Sequence, residues 1–173
     1  MKKDNSEELF PVVDENGVIT GSATRGECHG GSRLLHPVVH LHVFDAEGRL
    51  YLQKRPEWKD IQPGRWDTAV GGHIDLGENV DMALKREAKE ELNLEDFSFT
   101  HLGSYVFESD RERELINAFK TTVDCLPCPS DELDGGRFWT AAEIAANIGQ
   151  GVFTPNFEQE YARFFGEGRE GEE

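Results

Sequence analysis

Three carboxylates, Glu87, Glu90 and Glu91, stand near the end of a segment with helical periodicity. On a helix, Glu87 and Glu91 share a face at i,i+4, and Glu90 lies one step round at i+3 from Glu87. The placement is unfavourable for a bare helix. Its C-terminal end already carries partial negative charge, and like charges at these spacings cost roughly 0.2–0.5 kcal/mol per pair. The same set suits a hard cation, because Mg²⁺ takes its oxygen ligands from a few carboxylates, water and substrate phosphates. The competing reading is a solvated face on which Lys85, Arg86 and Lys89 pair with the acids.

A second group could also hold a metal. His29 and His36 form a His-x6-His pair, His73 follows Gly71-Gly72, and Glu112 and Glu114 alternate, so both would lie on one face of a strand. Imidazole and carboxylate are ordinary metal ligands, although a histidine taken singly is more often a surface or packing residue. His40 and His42 alternate with apolar strand residues and read as packing.

These groups need a scaffold. VVDENGVIT (12–20) predicts a hairpin with a two-residue turn at Asn16-Gly17, and HPVVHLHVFDAEGRLYLQKR (36–55) predicts two strands around a turn at Asp45–Gly48. WKDIQPGRWDTAV (58–70) reads as a loop running into a short strand. A helix follows, capped by Asn79, with Val80, Ala83, Leu84 and Ala88 as its buried stripe and Asn93 as a left-handed cap. Strands are expected at 99–108 and 114–124, and a strand turning into a helix at Thr140 within 137–148. A last amphipathic helix over 154–165 would face Phe157, Tyr161, Phe164 and Phe165 to the core. This pattern of a mixed β region with a few helices predicts an α+β fold or an α/β/α sandwich.

Gly72, Glu78 and Arg86-Glu87-Ala88-Lys89-Glu90-Glu91 stand at the spacing G-x5-E-x7-R-E-U-x-E-E-x-G-U, where U is apolar. The segment resembles the Nudix box, with every charged position matched and Asn93 in place of the last glycine. Asn tolerates the left-handed conformation required there. The resemblance implies a Nudix-type sandwich in which a loop–helix–loop holds Mg²⁺, or alternatively Mn²⁺. Glu87, Glu90 and Glu91 would be ligands, with the Gly72 carbonyl a further one. Arg86 would pair with Glu78 to shape the helix end. Glu90 or Glu91, or a loop acid such as Glu132, would serve as general base, so Glu90, Glu91 and Arg86 form the catalytic set. The implied substrate is a small-molecule diphosphate, typically a nucleoside diphosphate joined to another group, cleaved by water attack at phosphorus.

His29, His36, His73, Glu112 and Glu114, with VVDENG, HPVVHLHVF, LQKR and PGRWD around them, are similar to the metal-dependent isopentenyl-diphosphate isomerases, which share the Nudix fold. That likeness spans most of residues 9–165 and implies a second divalent metal, or phosphate contacts, at the histidine site. Two features argue against isomerase chemistry. Position 71 holds glycine where the isomerases carry an essential cysteine, and the box is intact where theirs is usually degenerate. Hydrolysis is therefore the first expectation. Isomerisation is the alternative, and a non-catalytic Nudix ligand sensor is a second one.

Organisation and composition set the remaining expectations. Residues 1–34 read as an N-terminal extension with a β-hairpin packed on a domain at 35–165, and 166–173 as a disordered acidic tail. The chain has 173 residues and a net charge of −16, which repels nucleic acid polymers. No apolar run approaches a membrane span and the first residues lack an apolar signal core, so no membrane contact and a cytoplasmic location are expected. Cys28, Cys125 and Cys128 are read as reduced thiols. Trp58, Trp66, Phe107 and Trp139 are candidates to stack a base or sugar, and Arg65 and Lys59 to touch phosphate. A homodimer is the default assembly.

Overall fold

A computed structural model describes residues 7–57, 63–110, 112–129 and 135–166. Trp58, Lys59, Glu132 and the tail beyond Gly166 lie outside the described residues. The elements run β1 (Leu9–Val13), β2 (Ile19–Thr24), α1 (Arg25–His29), β3 (Leu35–Asp45), β4 (Leu50–Lys54), β5 (Trp66–Thr68), β6 (Val70–His73), α2 (Val80–Leu92), β7 (Thr100–Glu108), β8 (Arg113–Val123), β9 (Gly136–Trp139), α3 (Ala141–Asn147) and α4 (Pro155–Phe165). No helix among the described residues is long and apolar enough to cross a membrane.

β3 is the spine of a seven-stranded mixed sheet. It pairs in parallel with β8 along its whole length, and in antiparallel fashion with β4 and β6. Alternation along β3 divides the core between two faces. Val39, Leu41 and Val43 pack with Tyr51, Ala83, Leu84 and Ala88 on the α2 face. On the other face, Leu50 and Leu52 join Trp139, Ile144, Phe153 and Phe157 beneath α3 and α4. The architecture is the expected α/β/α sandwich.

The helix caps behave as their side chains predict. Asn79 accepts from the Met82 amide, and Asn93 adopts the left-handed conformation at φ 55°. Thr140 and Glu143 form a capping box for α3, and Thr154 caps α4 ahead of Pro155.

Three details differ from expectation. The β1–β2 turn is wider than two residues, because Asp14 Oδ1 accepts from the amides of both Asn16 and Val18 and organises a loop over 14–18. Helix α1 has too few turns to show periodicity, yet Thr24-x-x-Glu27 makes a capping box that marks its start. In α4 only Phe157 is fully buried among the four expected aromatics, and the fully buried polar residue is Glu160.

Candidate active site and metal centre

The Nudix-box residues sit where β6 meets α2. Glu87 is 1% exposed, and its carboxylate lies against the Cα of Gly72, so that any Cβ at position 72 would overlap it. Glycine is required here for this close approach. Arg86 grips Glu78 with two hydrogen bonds, Nε to Oε2 at 2.6 Å and Nη2 to Oε1 at 2.8 Å, and donates from Nη2 to the His73 carbonyl at 3.0 Å. The expected Arg86–Glu78 pair is therefore formed, and it ties the helix to β6. Arg86 also lies 3.4 Å from Glu87 and 3.2 Å from Glu90, offsetting the crowding of acids near the end of α2.

Gln53 of β4, which sequence reasoning did not single out, donates to Glu91 Oε1 at 3.2 Å and to the Ala69 carbonyl at 3.3 Å. Its signal was available: Gln53 shares a strand face with Tyr51, which packs toward α2. Glu90 is exposed while Glu87 and Glu91 point inward. Of the three, only Glu87 lies against Gly72, and their carboxylates do not converge as the histidine group does, but all three supply hard oxygen donors on one end of α2, a chemistry that fits Mg²⁺.

The histidine residues converge from four elements. His29 ends α1, His36 begins β3, His73 ends β6, and Glu112 and Glu114 flank the start of β8. Donor atoms of His29, His36, His73 and Glu112 all lie within 4.8 Å of one another, the one such group among the described residues. Glu114 adds a carboxylate 3.9 Å from His36 Nε2 and 3.7 Å from His73 Nε2. His36 is fully buried. Its Nδ1 bonds the Leu34 carbonyl at 3.1 Å, which leaves Nε2 as a buried acceptor without a hydrogen-bond partner, facing the cluster. Burial lowers the His36 pKa, which favours the neutral ring. Burial pushes the Glu114 carboxyl up to about 8, and Glu112 beside it adds to the rise. Three imidazoles with two adjacent carboxyl groups make a nitrogen-rich set that fits a divalent transition ion or Zn²⁺. Phe10 of β1 closes the group by stacking on His73 at 4.6 Å and 9°.

A family model for the NUDIX domain matches residues 34–157. The chain belongs to the Nudix family. An uncharacterised Nudix hydrolase of Streptomyces coelicolor is 30% identical over 162 residues, covering 92% of this chain and 89% of the relative. An isopentenyl-diphosphate Δ-isomerase of Streptomyces griseus is 30% identical over 156 residues, covering 86% and 79%. A crystallised protein of Deinococcus radiodurans has the same fold, with a TM-score of 0.78 at 24% identity over 91% of this chain and 99% of that one. This Nudix protein is thus a hydrolase of pyrophosphate bonds on the isomerase-like branch of the family.

His40 and His42, read as packing, do pack against the α4 face, and both bond Glu160, His40 Nδ1 to Oε1 at 2.8 Å and His42 Nε2 to Oε2 at 2.5 Å. The Tyr105 hydroxyl donates to Glu160 Oε1 at 2.5 Å. Of the aromatic candidates, Trp139 is buried in the core and Trp66 packs edge-on to it at 5.2 Å. Phe107 is half-buried, and Arg65 donates to the Phe153 carbonyl. Cys28 is buried beside Phe10 and Ala23, and Cys125 and Cys128 are free and exposed.

Proposed function

We propose that this Nudix hydrolase cleaves the diphosphate linkage of a nucleoside diphosphate derivative or a related small organic diphosphate in an Mg²⁺-dependent reaction. The observation that carries the reading is the Glu87 carboxylate seated on Gly72 in an intact box. Glu87, Glu90 and Glu91, with the Gly72 carbonyl, would hold Mg²⁺ or Mn²⁺. Such an ion, when bound, neutralises diphosphate charge and lowers the pKa of the attacking water.

The chain's own groups do the rest. Arg86 and Glu78 fix the helix against β6, and Gln53 orients Glu91. Glu91 is the candidate base that takes the proton from water as its oxygen attacks phosphorus, with Glu90 as the other candidate. The P–O bond to the departing phosphate breaks, and its electron pair leaves on that oxygen. His29, His36, His73, Glu112 and Glu114 would hold a second divalent ion beside the same strand.

The complete histidine–carboxylate cluster favours isomerisation as the second reading. Against it stands Gly71, which supplies no thiol. Nor does Cys28 replace one: its side chain is buried among Phe10 and Ala23, and burial pushes the thiol up to about 11.

The test is a product assay with Mg²⁺ on a panel of nucleoside diphosphate derivatives and isopentenyl diphosphate, with Glu91→Gln as the blank. Phosphate or nucleotide release that vanishes in the variant supports hydrolysis. Formation of dimethylallyl diphosphate without phosphate release overturns it.

A further inference from the structure

β6 ends at His73, whose pair with Val38 closes the β3–β6 ladder. Among the described residues β3 is the one strand paired with β6, so the carbonyls on its other edge have no neighbouring strand to accept from. Backbone carbonyls that leave water need a donor from elsewhere. Gly71 and Gly72 come immediately before His73. Glycine restricts the backbone least, so the direction in which the strand ends has to be set from outside.

Arg86 supplies that donor. Its Nη2 gives the 3.0 Å bond to the His73 carbonyl, while the same guanidinium is fixed by its two bonds to Glu78 and lies 3.4 Å from Asp75. A planar fork held at several points has little freedom left, so the carbonyl it grips is placed relative to α2 as well as to β3. The imidazole of the same residue enters the histidine group. Its Nε2 lies 3.2 Å from His29 Nε2 and 3.7 Å from Glu114 Oε2, and Phe10 stacks on the ring. One residue thus joins the Nudix box through its carbonyl and the histidine cluster through its ring.

We propose that Arg86 is a positioning residue for the histidine cluster: by holding the His73 carbonyl it sets the angle at which the imidazole meets a divalent ion, so an arginine of the Nudix box tunes the metal affinity of the second site. The inference rests on the reading of that cluster as a divalent-ion site. The ion pairs of Arg86 are with Asp75, Glu78, Glu87 and Glu90, outside the cluster, so its effect on the cluster passes through the backbone of residue 73. Outer groups that orient a metal ligand carry about 10–100-fold in affinity, and a hold on the main chain belongs at about the tenfold end.

A titration with Co²⁺ alone, without substrate, reads the cluster by its visible absorption. The part of the band that His73→Asn removes belongs to the cluster. Arg86→Gln should weaken that part about tenfold and shift its wavelength. Ile144→Val opens a small cavity in the core beneath α3, so it should lower Tm and leave the cobalt titration unchanged. Equal weakening in both variants would make the role of Arg86 one of general stability and overturn the proposal. Unchanged affinity in Arg86→Gln would also overturn it, while leaving the cluster standing as a metal site. A second measurement needs no Arg86 variant: Zn²⁺ should shift the Arg86 Nε–H resonance in the unsubstituted protein and not in His73→Asn. A resonance that does not move overturns the proposal even if Arg86→Gln fails to fold. A cobalt band that does not depend on His73 overturns the metal reading, and this inference with it.

Discussion

The carboxylate of Glu87 occupies the space that a side chain on residue 72 would need. Glycine at that position is therefore part of the site. Gly72→Ala should force Glu87 out of its seat, destabilise the fold by about 1–3 kcal/mol through overpacking, and lower kcat about a hundredfold by misplacing the carboxylate. A urea melt beside a product assay tests both; unchanged kcat would remove Glu87 from the chemistry.

Gln53 connects β4 to the last turn of α2 through Glu91. Gln53→Leu keeps the volume and removes the donor. Activity should fall about 10–100-fold, with a right-shifted Mg²⁺ activation curve, because groups that orient a metal ligand carry effects of that size. A Mg²⁺ titration of initial rates reads this directly.

Arg86 meets Glu78 with two parallel bonds and reaches the His73 carbonyl with the same guanidinium. Lysine retains the charge and loses the fork. Arg86→Lys should cost about 1–3 kcal/mol in denaturant unfolding, and it should loosen β6 against α2, seen as faster amide exchange at residues 72 and 73.

Stability should depend on pH through Glu160 and His40. Burial disfavours the His40 cation, but the Glu160 carboxylate outweighs it and lifts the pKa from 6.5 to about 9. That contribution is complete below pH 6.5 and is lost as pH rises through about 9. Burial opposes ionisation of Glu160, but His40 and His42 hold it well below the ordinary carboxylate range. Its contribution is present above pH 4.5 and is lost as pH falls toward the lower folded value. Glu160→Gln should flatten both limbs of a plot of unfolding free energy against pH.

The histidine cluster should respond to metal without any substrate. With free Zn²⁺ or Mn²⁺ at about a hundredfold over Kd, Tm should rise by about 5–10 °C, and EDTA should reverse the rise. His73→Asn should abolish the shift while leaving the Mg²⁺ response of Glu87, Glu90 and Glu91 in place. An equal shift in the variant would place the ion elsewhere.

Local patterns in the chain determined a good deal. The Nudix-box spacing, the caps at Asn79, Asn93 and Thr140, and the alternation of β3 all act within a few residues, where backbone geometry alone dictates which side chains meet. The His-x6-His and Glu-x-Glu pairs were legible for the same reason, although their convergence was implied by resemblance and not by spacing. Tertiary structure decided the rest. Glu160 meets His40 and His42 across separations of 120 and 118 residues, Gln53 meets Glu91 through the packing of α2 on the sheet, and Phe10 stacks on His73 only because the N-terminal hairpin folds back over the cluster. Nothing in the neighbourhood of Glu160 distinguishes it from the other acids of an amphipathic helix. Its role is set by which face of α4 meets β3, and that is fixed by burial of the surrounding apolar residues, a property of the assembled sheet.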